Sequence, residues 1–218
     1  MKRPLRRNRT KNVNVNLVAA MLVPMLLISI SAFAYAQSST QLTCFTTLTT
    51  DPQEDIEITN WIVNRTNTQD VNCNGIIFGD ELNVTEIKDS SSGQIIGLEI
   101  TANPIFPGWI LHLILKIHNL PYSVPVNVSY AIHYWNETSE QWEKKTKEDL
   151  QTLFSITYID GFYRDADLTQ PMSPEDIVDV NKYFYKSEYI TLDENAPPTL
   201  QGQSIDFIVE VYAEQAGI

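Results

Sequence analysis

The chain has 218 residues, 43% of them hydrophobic, with 15 basic against 27 acidic side chains and a net charge of -12. That length is enough for one well-buried domain beyond a leader. So acidic a chain lacks the basic footprint needed for nucleic-acid binding or for adhesion to anionic lipid, which excludes both as primary roles.

Residues 1–36 have the grammar of a secretory leader. Lys2, Arg3, Arg6, Arg7, Arg9 and Lys11 precede an uncharged apolar run over 17–35. Ala34-Tyr35-Ala36 then places small residues at the two positions a signal peptidase pocket needs. This predicts cleavage between Ala36 and Gln37. The competing reading is an uncleaved anchor, since ~20 apolar residues span a bilayer. The polar Gln37-Ser38-Ser39-Thr40 that follows favours cleavage. Arg6-Arg7 is followed by Asn8-Arg9-Thr10, not by the apolar residue a twin-arginine signal wants. A type IV pilin leader would need a basic and a small residue just before the apolar run, and Lys11 is followed by Asn12-Val13-Asn14. Without the leader's six positive charges the net charge moves from -12 to -18. The expected location is outside the cell, with membrane contact only during export.

Residues 37–50 are strand-prone, rich in threonine and uncharged, and Asp51-Pro52 ends them. Leu42, Cys44, Phe45 and Leu48 are the apolar members. Proteins normally guard such an edge with Lys or Pro. Leaving it unguarded suits pairing with another chain, so 37–50 is a candidate donor strand. The alternative is an ordinary first strand in the chain's own sheet.

Residues 51–218 are expected to form one β-sandwich domain. Asp70-Val71-Asn72-Cys73-Asn74-Gly75, continuing to Glu81, fits the spacing of an EF-hand calcium loop. No amphipathic helix precedes it and a strand-like Leu82-Asn83-Val84 follows, so an Asn/Asp/Gly turn without metal is the competing reading. Cys44 and Cys73 are the two cysteines. In an oxidising compartment they are expected to form a disulfide, within or between subunits, worth ~3.6 kcal/mol in the chain-entropy model. Asn64, Asn83, Asn127 and Asn136 each open an N-glycosylation sequon.

Alternation with period two dominates the rest. Ile96, Leu98 and Ile100 share a face. Trp109, Leu111, Leu113, Leu115 and Ile117 share another, opposite His112, Lys116 and His118. Val124, Val126, Val128, Tyr130, Ile132 and Tyr134 point inward, and Asn127, Ser129, Ala131, His133 and Trp135 outward. Phe154, Ile156 and Tyr158 form a shorter run, and Ile205, Phe207, Val209 and Val211 form the last. Short β-branched and aromatic runs of this kind predict an antiparallel sandwich. Two helical insertions are expected, one over 147–154 and one opened by Ser173-Pro174-Glu175-Asp176, whose Ser, Pro and acids suit a helix start.

Enzyme signatures are missing from the sequence. None of the three histidines lies in H-E-x-x-H, and there is no G-x-S-x-G elbow or phosphate-cradling glycine loop. No catalytic residue, resident metal or cofactor is expected.

Several stretches resemble the TasA/camelysin family of secreted fibre subunits. Gly79-Asp80-Glu81-Leu82-Asn83-Val84 is similar to that family's opening strand. Pro107-Gly108-Trp109, running through Leu115 and Ile117 to His118-Asn119, resembles its turn, long strand and terminal Asn. The stretch 125–134 resembles its next strand, and Gln201-Gly202-Gln203-Ser204-Ile205-Asp206-Phe207, closing on Ala213-Glu214-Gln215, its last. The Asn- and Thr-rich surface is most like the archaeal bundling pilins. The resemblance implies a jelly-roll subunit that polymerises head to tail by donor-strand complementation. Its partners would be copies of itself and, through bundling, other surface filaments. Camelysins have been labelled metalloproteases, and no zinc motif here supports carrying that over. The alternatives are a monomeric calcium-binding surface protein and, further off, a secreted hydrolase.

Overall fold

The computed structural model describes residues 40–50, 55–66, 81–105, 107–200 and 203–216, within a compact unit Ser39–Ile218. The expected leader with its expected Ala36/Gln37 cut, and the calcium-like loop from Asp70 through Cys73 to Asp80, lie outside the described residues. The fold is an all-β sandwich.

One sheet runs β3 (Glu81–Lys88), β4 (Ile95–Ile105), β1 (Thr40–Thr50), β11 (Ser204–Gln215), β6 (Val126–Asn136), β7 (Gln141–Lys145), with β9 (Ile177–Val178) also pairing β6. The other runs β2 (Ile56–Thr66), β5 (Ile110–Asn119), β10 (Lys182–Leu192), β8 (Ile156–Tyr163). The chain changes sheet at most connections, jelly-roll fashion. The antiparallel expectation fails at one ladder: β1 runs parallel to β11. These strands come from opposite ends of the chain, so no hairpin dictates their direction.

Side-chain alternation produces the core. Leu111, Leu113, Leu115 and Ile117 of β5 are fully buried in one core with Ile205, Phe207 and Val209 of β11, and Val211 is buried too, as their spacing predicts. The opposite face of β5 is half-buried. There His112 stacks on Tyr189 and His118 on Tyr183, with ring centroids 3.8 and 4.3 Å apart. Asn119 ends β5 inside the protein, and its amide donates to the carbonyls of Val124 and Val178 at 2.9 and 3.0 Å. That joins β5 to the start of β6 and to β9.

The first expected helix forms as α1 (Lys147–Phe154). Thr146 and Asp149 make a reciprocal capping box at its start, and Ser155 closes it in the left-handed region. Leu150 and Phe154 are buried. Phe154 therefore belongs to the helix, and the strand begins at Ile156.

The second expected helix does not form. The Asp176 amide donates to the Ser173 carbonyl, and the Ser173 amide donates to the Asp176 carboxylate at 2.7 Å, which closes a turn. The β-branched pair Ile177-Val178 then pairs with Asn127 and Val126 of β6, and only Val178 is buried. A capping-type sequence serves a turn as well as a helix, and the residues after it decide.

Candidate functional site: the seat of β1 and the charged cluster behind it

The candidate donor strand is not an edge in this structure. β1 lies between β4 and β11, so both of its backbone edges are paired within its own chain. Leu42, Cys44 and Thr46 point into the sandwich with no measurable exposure, while Phe45 and Leu48 are half-buried. Polar contacts fix the register. The Thr40 hydroxyl donates to the Leu200 carbonyl at 2.9 Å, and the Thr49 hydroxyl donates to Glu210 at 2.7 Å. Glu210 also accepts from the Tyr212 hydroxyl and lies 3.2 Å from His133 Nε2. Burial works against the Glu210 charge, but these partners outweigh it and hold its carboxyl below the usual range. Gly97 of β4 permits the close approach of β1, because a β-carbon there would meet the Thr46 carbonyl oxygen at 2.8 Å.

Cys44 carries a free thiol, and its expected partner Cys73 lies outside the described residues. Burial, then the nearby Glu188 charge, holds that thiol protonated well above the ordinary range. Strand alternation aims its side chain into the core.

Under Cys44 and Thr46 lies a charged cluster that the sequence reading missed. Lys186 and Glu188 of β10 have wholly buried side chains, and Asp160 of β8 is 2% exposed. Lys186 Nζ donates to Asp160 Oδ2 at 2.7 Å and stands 3.6 Å from Glu188 Oε1. Lys147, at the start of α1, donates to Asp160 Oδ1. The Thr46 hydroxyl donates to Glu188 Oε2 at 3.3 Å, reaching across from the opposite sheet. Glu188 Oε1 and the Tyr158 hydroxyl have no hydrogen-bond partner among the described residues. Burial raises the Glu188 carboxyl, with Lys186 opposing. Asp160 is held low because Lys186 and Lys147 together outweigh its burial. A signal for this cluster did exist: Lys186 and Glu188 share strand parity with Phe184, Ile190 and Leu192.

The sequons divide into two kinds. Asn64 and Asn83 are exposed. Asn127 and Asn136 are half-buried, and their side-chain nitrogens donate to the Pro174 carbonyl and to Glu143, at 3.4 and 2.6 Å. A glycan on either of these would replace that bond. His112, His118 and His133 lie on strands, and no group of three or more metal-ligating side chains converges among the described residues. No helix among the described residues is long and apolar enough to cross a membrane. No family model, curated protein or solved structure matches the chain.

Proposed function

We propose that the protein is a structural subunit of an extracellular filament. Each subunit lends β1 to the seat between β4 and β11 of the next. One observation carries this reading: β1 is first among the described strands in sequence, yet interior in its sheet. A strand near a chain terminus leaves its seat without unthreading any other element. Once it has left, two unpaired edges and a core slot remain, and together they strongly favour refilling the seat. The same strand from a neighbour restores the same ladders and buries the same Leu42, Cys44 and Thr46. Exchange is then nearly balanced in free energy and is governed by concentration. Because the lent strand and the receiving seat are different surfaces, the contact is head-to-tail and open-ended. The resemblance to TasA/camelysin fibre proteins and the leader-like start support the same reading, as does the acidic, sequon-bearing sequence. In it the subunit acts without catalysis and without a cofactor.

A cross-link at the seat tests this. Gln41 and Ser204 are facing partners in the β1–β11 ladder. Fibres of the Gln41→Cys, Ser204→Cys variant, oxidised and boiled in detergent without reductant, should run as a ladder of covalent oligomers. Reductant should collapse the ladder to monomer. If fibres seen by electron microscopy yield only internally linked monomer, β1 stays in its own subunit and the proposal fails.

A further inference from the structure

We propose that Lys186 and Asp160 condense to an isopeptide bond that staples β10 to β8, with Glu188 as the proton carrier and Lys147 as the group that polarises the reacting carboxyl. Three geometric facts lead there. The amine and carboxyl are already in contact, at 2.7 Å, on diagonal positions of neighbouring strands, since Lys186 faces Phe162 and Glu188 faces Asp160 in the ladder. Both side chains are shut off from solvent, and Nζ of Lys186 sits 4.3 Å from the centre of the Tyr130 ring and 4.8 Å from that of Phe162. A second carboxylate, Glu188, has a free oxygen 3.6 Å from the same amine.

The chemistry balances with these groups alone. Glu188 Oε1 takes a proton from the Lys186 ammonium and leaves a neutral amine. Nζ attacks Cγ of Asp160, and the developing negative charge on Oδ1 meets the Lys147 ammonium that already donates to that atom. The C–N bond forms, and the C–Oδ2 bond breaks. Oδ2 leaves as water, carrying two protons relayed by Glu188 from the nitrogen. Nothing is oxidised or reduced. One positive and one negative charge vanish from the interior, and Lys147 and Glu188 remain as a balanced pair. Burial of charges is costly, so their removal favours the amide. Pushed upward by burial, the Glu188 carboxyl is suited to hold the proton in transit. The water has a way out beside Lys147, which is 38% exposed and lines a surface pocket with Tyr130, Ile132, Lys145 and Thr146.

Tryptic mapping of the natively folded full chain, denatured and reduced before digestion, reads the bond directly. The expected product is a branched peptide joining residues 148–164 to residues 183–218. It should be lighter than the two together by one water, with no cut after Lys186. Glu188→Gln, nearly identical in shape, should lose the branched peptide while keeping the circular dichroism of the wild type. Full release of linear Tyr183-Phe184-Tyr185-Lys186 from the wild type overturns the proposal, whatever any variant does. A branched peptide at wild-type yield in Glu188→Gln overturns the role given to Glu188.

Discussion

Gly97 offers a way to loosen the seat of β1 without altering β1. It stands on β4 opposite Thr47. An alanine methyl there would lie 2.8 Å from the Thr46 carbonyl oxygen and 3.3 Å from methyl groups of Ile87 and Thr47. The two methyls can rotate aside. The carbonyl is ladder backbone and yields only if β1 moves away from β4. Overpacking of this kind costs ~1–3 kcal/mol, against which the lost freedom of glycine in the unfolded chain returns ~0.4–1 kcal/mol. Gly97→Ala should therefore destabilise the subunit by ~1–2 kcal/mol net. For a domain of this size each kcal/mol moves the thermal midpoint by about 2–4 °C, so the midpoint should fall by about 2–8 °C in a circular-dichroism melt. An unchanged or higher midpoint refutes the reasoning, because β4 and β1 would then separate at no cost. In fibres the defect belongs to the subunit that receives the strand, since the variant still has an intact β1 to lend.

Two further outcomes follow from buried polar groups. Burial holds the His112 imidazole below its ordinary 6.5, so the folded state favours the neutral ring. Its neighbours are Tyr189 and Ser187 of β10, the latter 3.0 Å from Nε2, and Asn64 opposite it on β2. The unfolded chain takes up a proton as pH falls through 6.5 and the folded chain resists, so this contribution is complete above 6.5 and lost below it. His112→Gln should flatten the fall of thermal midpoint below that pH, and parallel curves for variant and wild type would contradict the assignment. Asn119→Ala strands the carbonyls of Val124 and Val178 in the interior and should cost ~2–4 kcal/mol, read as a lower urea midpoint at unchanged slope.

The strands were legible where parity and burial agree. β5, β6 and β11 carry apolar residues at every second position, and one face of each is core, so local spacing alone set their orientation. The neighbours of β1 were not legible, because its ladders join residues far apart in sequence and leave no local trace. The Ser173 turn was misread since its hydrogen-bonding side chains satisfy a turn and a helix start alike. Lys186 and Glu188 were overlooked for the opposite reason. Charged residues are expected outside, and here parity with Phe184 and Ile190 overrode composition. That override is affordable only because opposite charges meet and Thr46 supplies a further donor.

Thr46 is where the two proposals touch, although they rest on separate observations. It belongs to the strand that fills the seat, and its hydroxyl reaches Glu188 from the facing sheet. Whichever subunit supplies β1 therefore also supplies this donor and the Cys44 thiol that feels the Glu188 and Lys186 charges. The staple between β8 and β10, by contrast, lies wholly in the other sheet. It fixes the floor of the core and leaves the β4–β11 seat free to accept a strand. A rigid floor under an exchangeable strand keeps the interior shaped for β1 while the seat is empty. That is the interval in which an unlinked sandwich of this kind would be most exposed to collapse or mispairing.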